Sequence, residues 1–162
     1  MWRRREILGL LGTGAAGLTL GGVKSDAGEQ QSGTDDPKHA GMKKSCCDAC
    51  GDCAEACDKA FHHSLEQASA GKAPYAKLAQ TVAACAAFCN LSAQMIARGS
   101  MMMTLSCRAC ADACRRCAQE CGVFDTDLDV KICTDACQRC EESCRNMMKA
   151  MGDDAGSAPK PR

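Results

Sequence analysis

The chain has 162 residues, with 20 basic and 20 acidic side chains and a formal net charge of zero. That length suits one domain, and the balanced charge argues against an extended basic surface for nucleic acid. The aromatics are few (Trp2, Phe61, Tyr75, Phe88 and Phe124), so bulky core material is scarce, whereas 16 cysteines is a level that signals disulfides or bound metal.

Residues 1–27 read as an export signal. Arg3, Arg4 and Arg5 precede Glu6, Ile7 and Leu8, a pattern that resembles the twin-arginine leader. The apolar run from Ile7 to Leu20 is short for a permanent membrane anchor. Ser25-Asp26-Ala27 offers a small-x-small cleavage site. Cleavage after Ala27 removes four basic and two acidic residues and leaves about two net negative charges. The expected location is therefore the periplasm, with no stable membrane anchor after cleavage. Residues 28–41 are polar and Gly-rich and read as a flexible linker.

The region 42–151 divides into four helical stretches near 43–70, 74–98, 101–121 and 127–151. Gly71, Gly99, Gly122 and Gly152 mark plausible helix ends. Pro74 suits a first helical turn, and Thr126 or Asp127 suits an N-cap. No proline interrupts a helix. Short connections favour antiparallel neighbours, so the expected fold is all-α: an up-down-up-down four-helix bundle with a cysteine-lined core. Residues 152–162, with two glycines and two prolines, read as a flexible tail.

The cysteines follow the helical repeat. Cys107, Cys110, Cys114, Cys117 and Cys121 lie within an arc of about 80° at 100° per residue. Cys133, Cys137, Cys140 and Cys144 fall within about 60°, as do Cys46, Cys50, Cys53 and Cys57. Cys47 lies to one side of its arc. The second helix supplies Cys85 and Cys89. These are the inward positions of a bundle seam. Seven pairs stand four residues apart, with Cβ atoms roughly 5–6 Å apart, so two sulfurs converge on one small ion. Thiolate and thioether ligands select copper(I). Bridging thiolates would bring capacity to roughly one copper per cysteine.

Methionine placement gives the column a direction. In the expected topology Met42, Met95, Met101, Met102, Met103, Met147, Met148 and Met151 gather at one end. Phe61, Leu65, Tyr75, Leu78, Phe124 and Leu128 gather at the other and form an expected apolar plug. The methionine end reads as an open mouth where copper enters and leaves, with His39 near it as a further possible ligand. His62 and His63 read as surface histidines toward the plugged end.

The repeated CxxxC pairs over residues 42–151, with the twin-arginine-like leader, resemble the exported branch of the bacterial copper storage proteins. That resemblance implies a Cys-rich four-helix bundle, a homotetramer, and storage of multiple copper(I) ions. It also implies that the cysteines are ligands and the methionine cluster is the open end.

Other readings compete. Cys47, Cys50, Cys53 and Cys57 fit a ferredoxin-like C-x2-C-x2-C-x3-C run, but Asp58 replaces the expected proline and the spacing is not repeated. A disulfide-stapled structural or interaction protein suits an even cysteine number in an exported chain. Zinc-thiolate storage suits facing CxxxC pairs but leaves the methionines unused. No catalytic nucleophile with a base, and no phosphate loop, is present, so an enzyme is not expected.

Overall fold

The computed structural model describes residues 37–152. The expected export signal, the linker before residue 37 and the tail after residue 152 lie outside the described residues. Four helices account for nearly all of the rest: α1 (Pro37–Ser69), α2 (Pro74–Ala97), α3 (Met103–Cys121) and α4 (Leu128–Ala150).

The helix α1 begins inside the segment expected to be linker. Pro37 occupies the first helical position, where its missing N–H is harmless. Gly41 then sits among residues that accept helix, and an interior glycine costs only about 1 kcal/mol relative to alanine. At its other end the chain reverses through Gly71, whose φ is 89°. The Lys72 N–H donates to Gln67 O and the Gly71 N–H to Ala68 O, so both orphan carbonyls are satisfied. Gly99 (φ 59°) ends α2 in the same way, with Ser100 N–H bonded to Met95 O.

Gly122 departs from expectation. Its φ is −61°, so it does not terminate a helix in the left-handed region. The chain instead tightens into a 3-10 turn at Gly122–Phe124 and reaches Asp127, whose N–H donates to Phe124 O at 2.9 Å. Asp127 is the N-cap of α4, and its side chain accepts from the N–H groups of Asp129 and Val130.

Each helix packs on its two neighbours, and α4 closes the ring on α1. Across the diagonals, α1 to α3 and α2 to α4, the bundle forms no Cα pairing within 8 Å. The space between the diagonals is filled by small side chains. Ala54, Ala60, Ala86, Ala111 and Ala136 are buried beside 15 of the 16 cysteines.

Larger apolar residues stand at the two ends of this interior. Leu78, Val82 and Val130 are buried at one end. Ile96, Met103, Met147 and Met148 are buried at the other. Among the residues expected to plug the first end, Phe61, Tyr75 and Phe124 are half-buried against the core. Leu65 and Leu128 do not contribute, being 46% and 71% exposed. Leu65 follows the inward Ser64 by one residue and so turns about 100° away. Leu128 opens α4 outside its packed turns.

A polar cluster completes that closed end. One oxygen of Asp127 accepts from the Tyr75 hydroxyl at 2.7 Å and lies 2.8 Å from His63 Nε2. The Tyr75 and Phe124 rings meet at 4.6 Å between centroids. His63 is 18% exposed, so it is not the surface histidine expected from sequence. His62 is exposed, 3.6 Å from Glu66. Among the described residues, no helix is long and apolar enough to cross a membrane.

Candidate metal centre

The site is built by helical spacing. Residues three and four apart return to the same face, and on α1, α3 and α4 that face carries cysteine at four or five successive inward positions. On α2 the inward row reads Leu78, Val82, Cys85, Cys89, Ser92 and Ile96, all buried. At 1.5 Å per residue, the thiols of α3 alone span roughly 20 Å of the bundle axis.

The sulfurs form a connected network. The separations begin near the methionine end with Cys46 to Cys144 at 3.7 Å and Cys50 to Cys144 at 3.6 Å. Next come Cys50 to Cys140 and Cys110 to Cys140, both at 3.7 Å. Cys89 lies 3.6 Å from both Cys110 and Cys114. Toward the closed end, Cys57 lies 3.6 Å from Cys133 and 3.9 Å from Cys137. Cys117 lies 3.9 Å from Cys121. A disulfide needs about 2.05 Å; all 16 cysteines are free thiols.

The shortest of these separations join different helices. Within the expected four-apart pairs, Cys110/Cys114 at 4.0 Å and Cys117/Cys121 at 3.9 Å are in contact. The four-apart pairs are thus joined to one another across helices in a single web. Sequence spacing showed which cysteines face inward. It carries no signal for the relative height and rotation of the helices, which decide the partners. Groups such as Cys46/Cys107/Cys144 and Cys57/Cys117/Cys133/Cys137 have all their sulfurs within 4.8 Å of one another.

Contact between thiols divides their acidities. Hydrogen-bonding contact with Cys114, Cys137 and Cys140 lowers the Cys53 thiol. Cys114, Cys117 and Cys137 do the same for Cys85. Cys57 is pushed up, chiefly by Cys117 and Cys133, and Cys114 chiefly by Cys110. Cys140 is lowered to about 7: Cys110 opposes the shift, but Cys114, Cys144 and Cys50 outweigh it. The physical cause is common to all. In a hydrogen-bonded pair of thiols, ionising one leaves the other as its S–H donor, so contact favours one thiolate of the pair at the expense of the other.

Cys47 stands apart. It is half-buried between α1 and α2, and its thiol donates to the Ala93 carbonyl at 3.5 Å. The methionines occupy the expected end. Met42 packs half-buried against the core, Met95 is half-buried, and Met101, Met102 and Met151 are exposed. Met103, Met147 and Met148 are buried, each within a turn of a terminal thiol. Thioethers thus lie both inside and outside the end expected to be the mouth. A depression of about 350 Å³ lies outside them, lined in part by Lys43, Met101, Met103 and Met151. His39, in the first turns of α1, is half-buried.

Fold and site define a cysteine-lined four-helix bundle of the metal-binding kind. The chain belongs to the copper storage protein family, whose profile matches residues 39–149. It is similar to the cysteine-rich protein YhjQ of Bacillus subtilis (strain 168), with 34% identity over 84 residues, 52% of this chain and 76% of that protein. Among solved structures it resembles a Cu(I)-bound copper storage protein, BsCsp3. That match has 32% identity and a TM-score of 0.60, and covers 65% of this chain and 97% of the other. It also resembles a structural-genomics protein of Nitrosospira multiformis, with 27% identity and a TM-score of 0.59 over 68% of this chain and 98% of the other.

Proposed function

We propose that this chain stores copper(I), holding many ions in the thiol column. The observation that carries the reading is the web of buried free thiols with sulfurs 3.6–3.9 Å apart across helices. Soft sulfur ligands select copper(I). One copper per thiolate leaves a buried core electrically neutral, which makes filling it tolerable. Family membership and the Cu(I)-bound relative point the same way. The proposed ligands are the 15 buried cysteines, with Cys47 as an outlying one. Capacity would then approach roughly one copper per buried thiol.

Loading and release are proposed at the methionine end. Exposed Met101, Met102 and Met151 would collect copper(I), and buried Met103, Met147 and Met148 would pass it inward. The role is storage rather than catalysis. The twin-arginine-like leader supports export to the periplasm. A homo-oligomer, a tetramer by family resemblance, is supported by the outward face of α2. It carries no charge between Lys77 and Arg98 and exposes Phe88 and Leu91.

The test is anaerobic titration of reduced, metal-free protein with copper(I) against a competing chelator. Saturation above roughly ten ions per chain supports storage. Binding of only one or two would refute it.

A further inference from the structure

The helix α2 supplies only Cys85 and Cys89 to the column. Mid-column is therefore where all four helices can each present a thiol, in two overlapping groups that differ in the α2 and α4 cysteines. There Cys53 of α1, Cys85 of α2, Cys114 of α3 and Cys137 of α4 have sulfurs mutually within 4.8 Å. The two diagonals are Cys53 to Cys114 at 3.8 Å and Cys85 to Cys137 at 3.9 Å. Two sides are Cys53 to Cys137 at 3.7 Å and Cys85 to Cys114 at 3.8 Å.

In a flat square the diagonals would exceed the sides by about two-fifths. Here they match these two sides, and the other two sides, Cys53 to Cys85 and Cys114 to Cys137, lie within 4.8 Å, so the α1/α3 and α2/α4 sulfurs sit at different heights and form a distorted tetrahedron. A tetrahedron with four edges of about 3.8 Å and two of up to about 4.8 Å has its centre about 2.3–2.6 Å from each corner, close to the zinc–thiolate bond length of about 2.3 Å. Copper(I) shared among bridging thiolates has no need of a closed four-sulfur cage. Tetrahedral zinc sites are closed cages of this kind, and such sites hold small domains together.

We propose that Cys53, Cys85, Cys114 and Cys137 form a distinct site for one zinc(II) ion in the copper-free protein, pinning the four helices until copper displaces it. The inference rests on the thiol column being the metal site, but not on its copper capacity. Binding converts four thiols and one Zn²⁺ into a tetrathiolate of net charge −2 and releases four protons. Four Cu⁺ then replace one Zn²⁺ to give a neutral four-copper, four-thiolate unit, and no electron moves. The buried net charge of the zinc form is the reason copper(I) wins.

Cys53 and Cys114 also belong to a second group, with Cys89 and Cys140. The variants separate the two. Reduced, metal-free full chain is titrated with zinc(II) against a chromophoric chelator, then with copper(I), and the zinc released is counted. The expected result is one tight zinc per chain, released before copper saturation. C85S and C137S should weaken it by more than the roughly 10–100-fold that losing a partner behind a ligand costs. C47S should leave it in place, and C89S should weaken it less than C85S does.

X-ray absorption of the cadmium(II)-substituted wild type should count four sulfur ligands, and this readout survives if a variant fails to fold. Absence of a tight zinc, fewer than four sulfurs, several equivalent zincs indifferent to C85S, or loss on C89S but not C85S would each overturn the proposal. Copper(I) capacity is measured on the same preparation. High copper capacity without zinc binding overturns this inference alone, whereas absent copper capacity overturns the storage reading.

Discussion

Replacing Asp127 with alanine should loosen the closed end more than any other single surface change. One oxygen of Asp127 caps α4 through the Asp129 and Val130 N–H groups, and a cap is worth about 1 kcal/mol. The other accepts from Tyr75 of α2 and meets His63 of α1. Hydrogen bonds to a charged group contribute about 1.5–3 kcal/mol each. Asp127 and His63 are 17% and 18% exposed, so water replaces part of what is lost. Taking about 2 kcal/mol for the two contacts together, Asp127→Ala costs about 3 kcal/mol. For a domain of about 115 residues that is a fall of roughly 12 °C in Tm.

Asp127→Asn keeps the cap and an acceptor for Tyr75 but loses the charge, and should cost about 1 kcal/mol. Thermal and urea unfolding of the reduced, metal-free protein, followed by circular dichroism, measures both. The pH dependence gives a second check. Burial alone would raise the Asp127 carboxyl, but Tyr75 and His63 outweigh it and hold the group below the usual carboxylate range. A depressed folded-state value contributes stability that is complete above the unfolded value and lost as pH falls through the folded one. The gap between wild type and Asp127→Asn should therefore close below about pH 4. A cost under about 1 kcal/mol for Asp127→Ala, or equal costs for the two variants, would refute this account of the closed end.

The site makes further predictions. Cys47→Ser should leave copper(I) capacity within about one ion of wild type, because that sulfur lies off the column; loss of several ions in the titration would make Cys47 a structural part of the web. Replacing Met103, Met147 and Met148 together by leucine keeps their volume, at under about 1.5 kcal/mol per swap, but removes the thioethers. Stopped-flow loading should slow while final capacity stays the same, and unchanged kinetics would remove the methionines from the path. Copper(I) replaces thiol protons, so loading in weak buffer should release about one proton per ion, and affinity should fall with falling pH. A pH-stat trace showing almost no proton release would contradict thiolate binding.

Much of the architecture was legible because punctuation and periodicity agree. Pro74, Gly71 and Gly99 bound helices, and steps of three and four residues turn the cysteines to one face. Gly122 misled because glycine also fits a right-handed turn, and the chain needed a 3-10 turn to bring Asp127 to the cap. The early start of α1 was hidden by Gly41 and its polar neighbours. Cys47 was legible as an outlier from its angle alone. The His63–Asp127–Tyr75 cluster was not, because no fixed spacing links residues that meet only when three helices close. The tetrahedral group at Cys53, Cys85, Cys114 and Cys137 was hidden for the same reason. It depends on how far each helix slides along its neighbour, a quantity that no local pattern encodes.

The absence of diagonal backbone contact has a consequence for size. The bundle's width is set by thiols and alanines, and its two stoppers are separate from the part that holds cargo. Seven more residues on each helix would lengthen the interior by roughly 10 Å and add a CxxxC pair per helix without altering either end. Capacity in such a protein is a matter of length, adjustable by insertion much as a rack is extended by adding shelves.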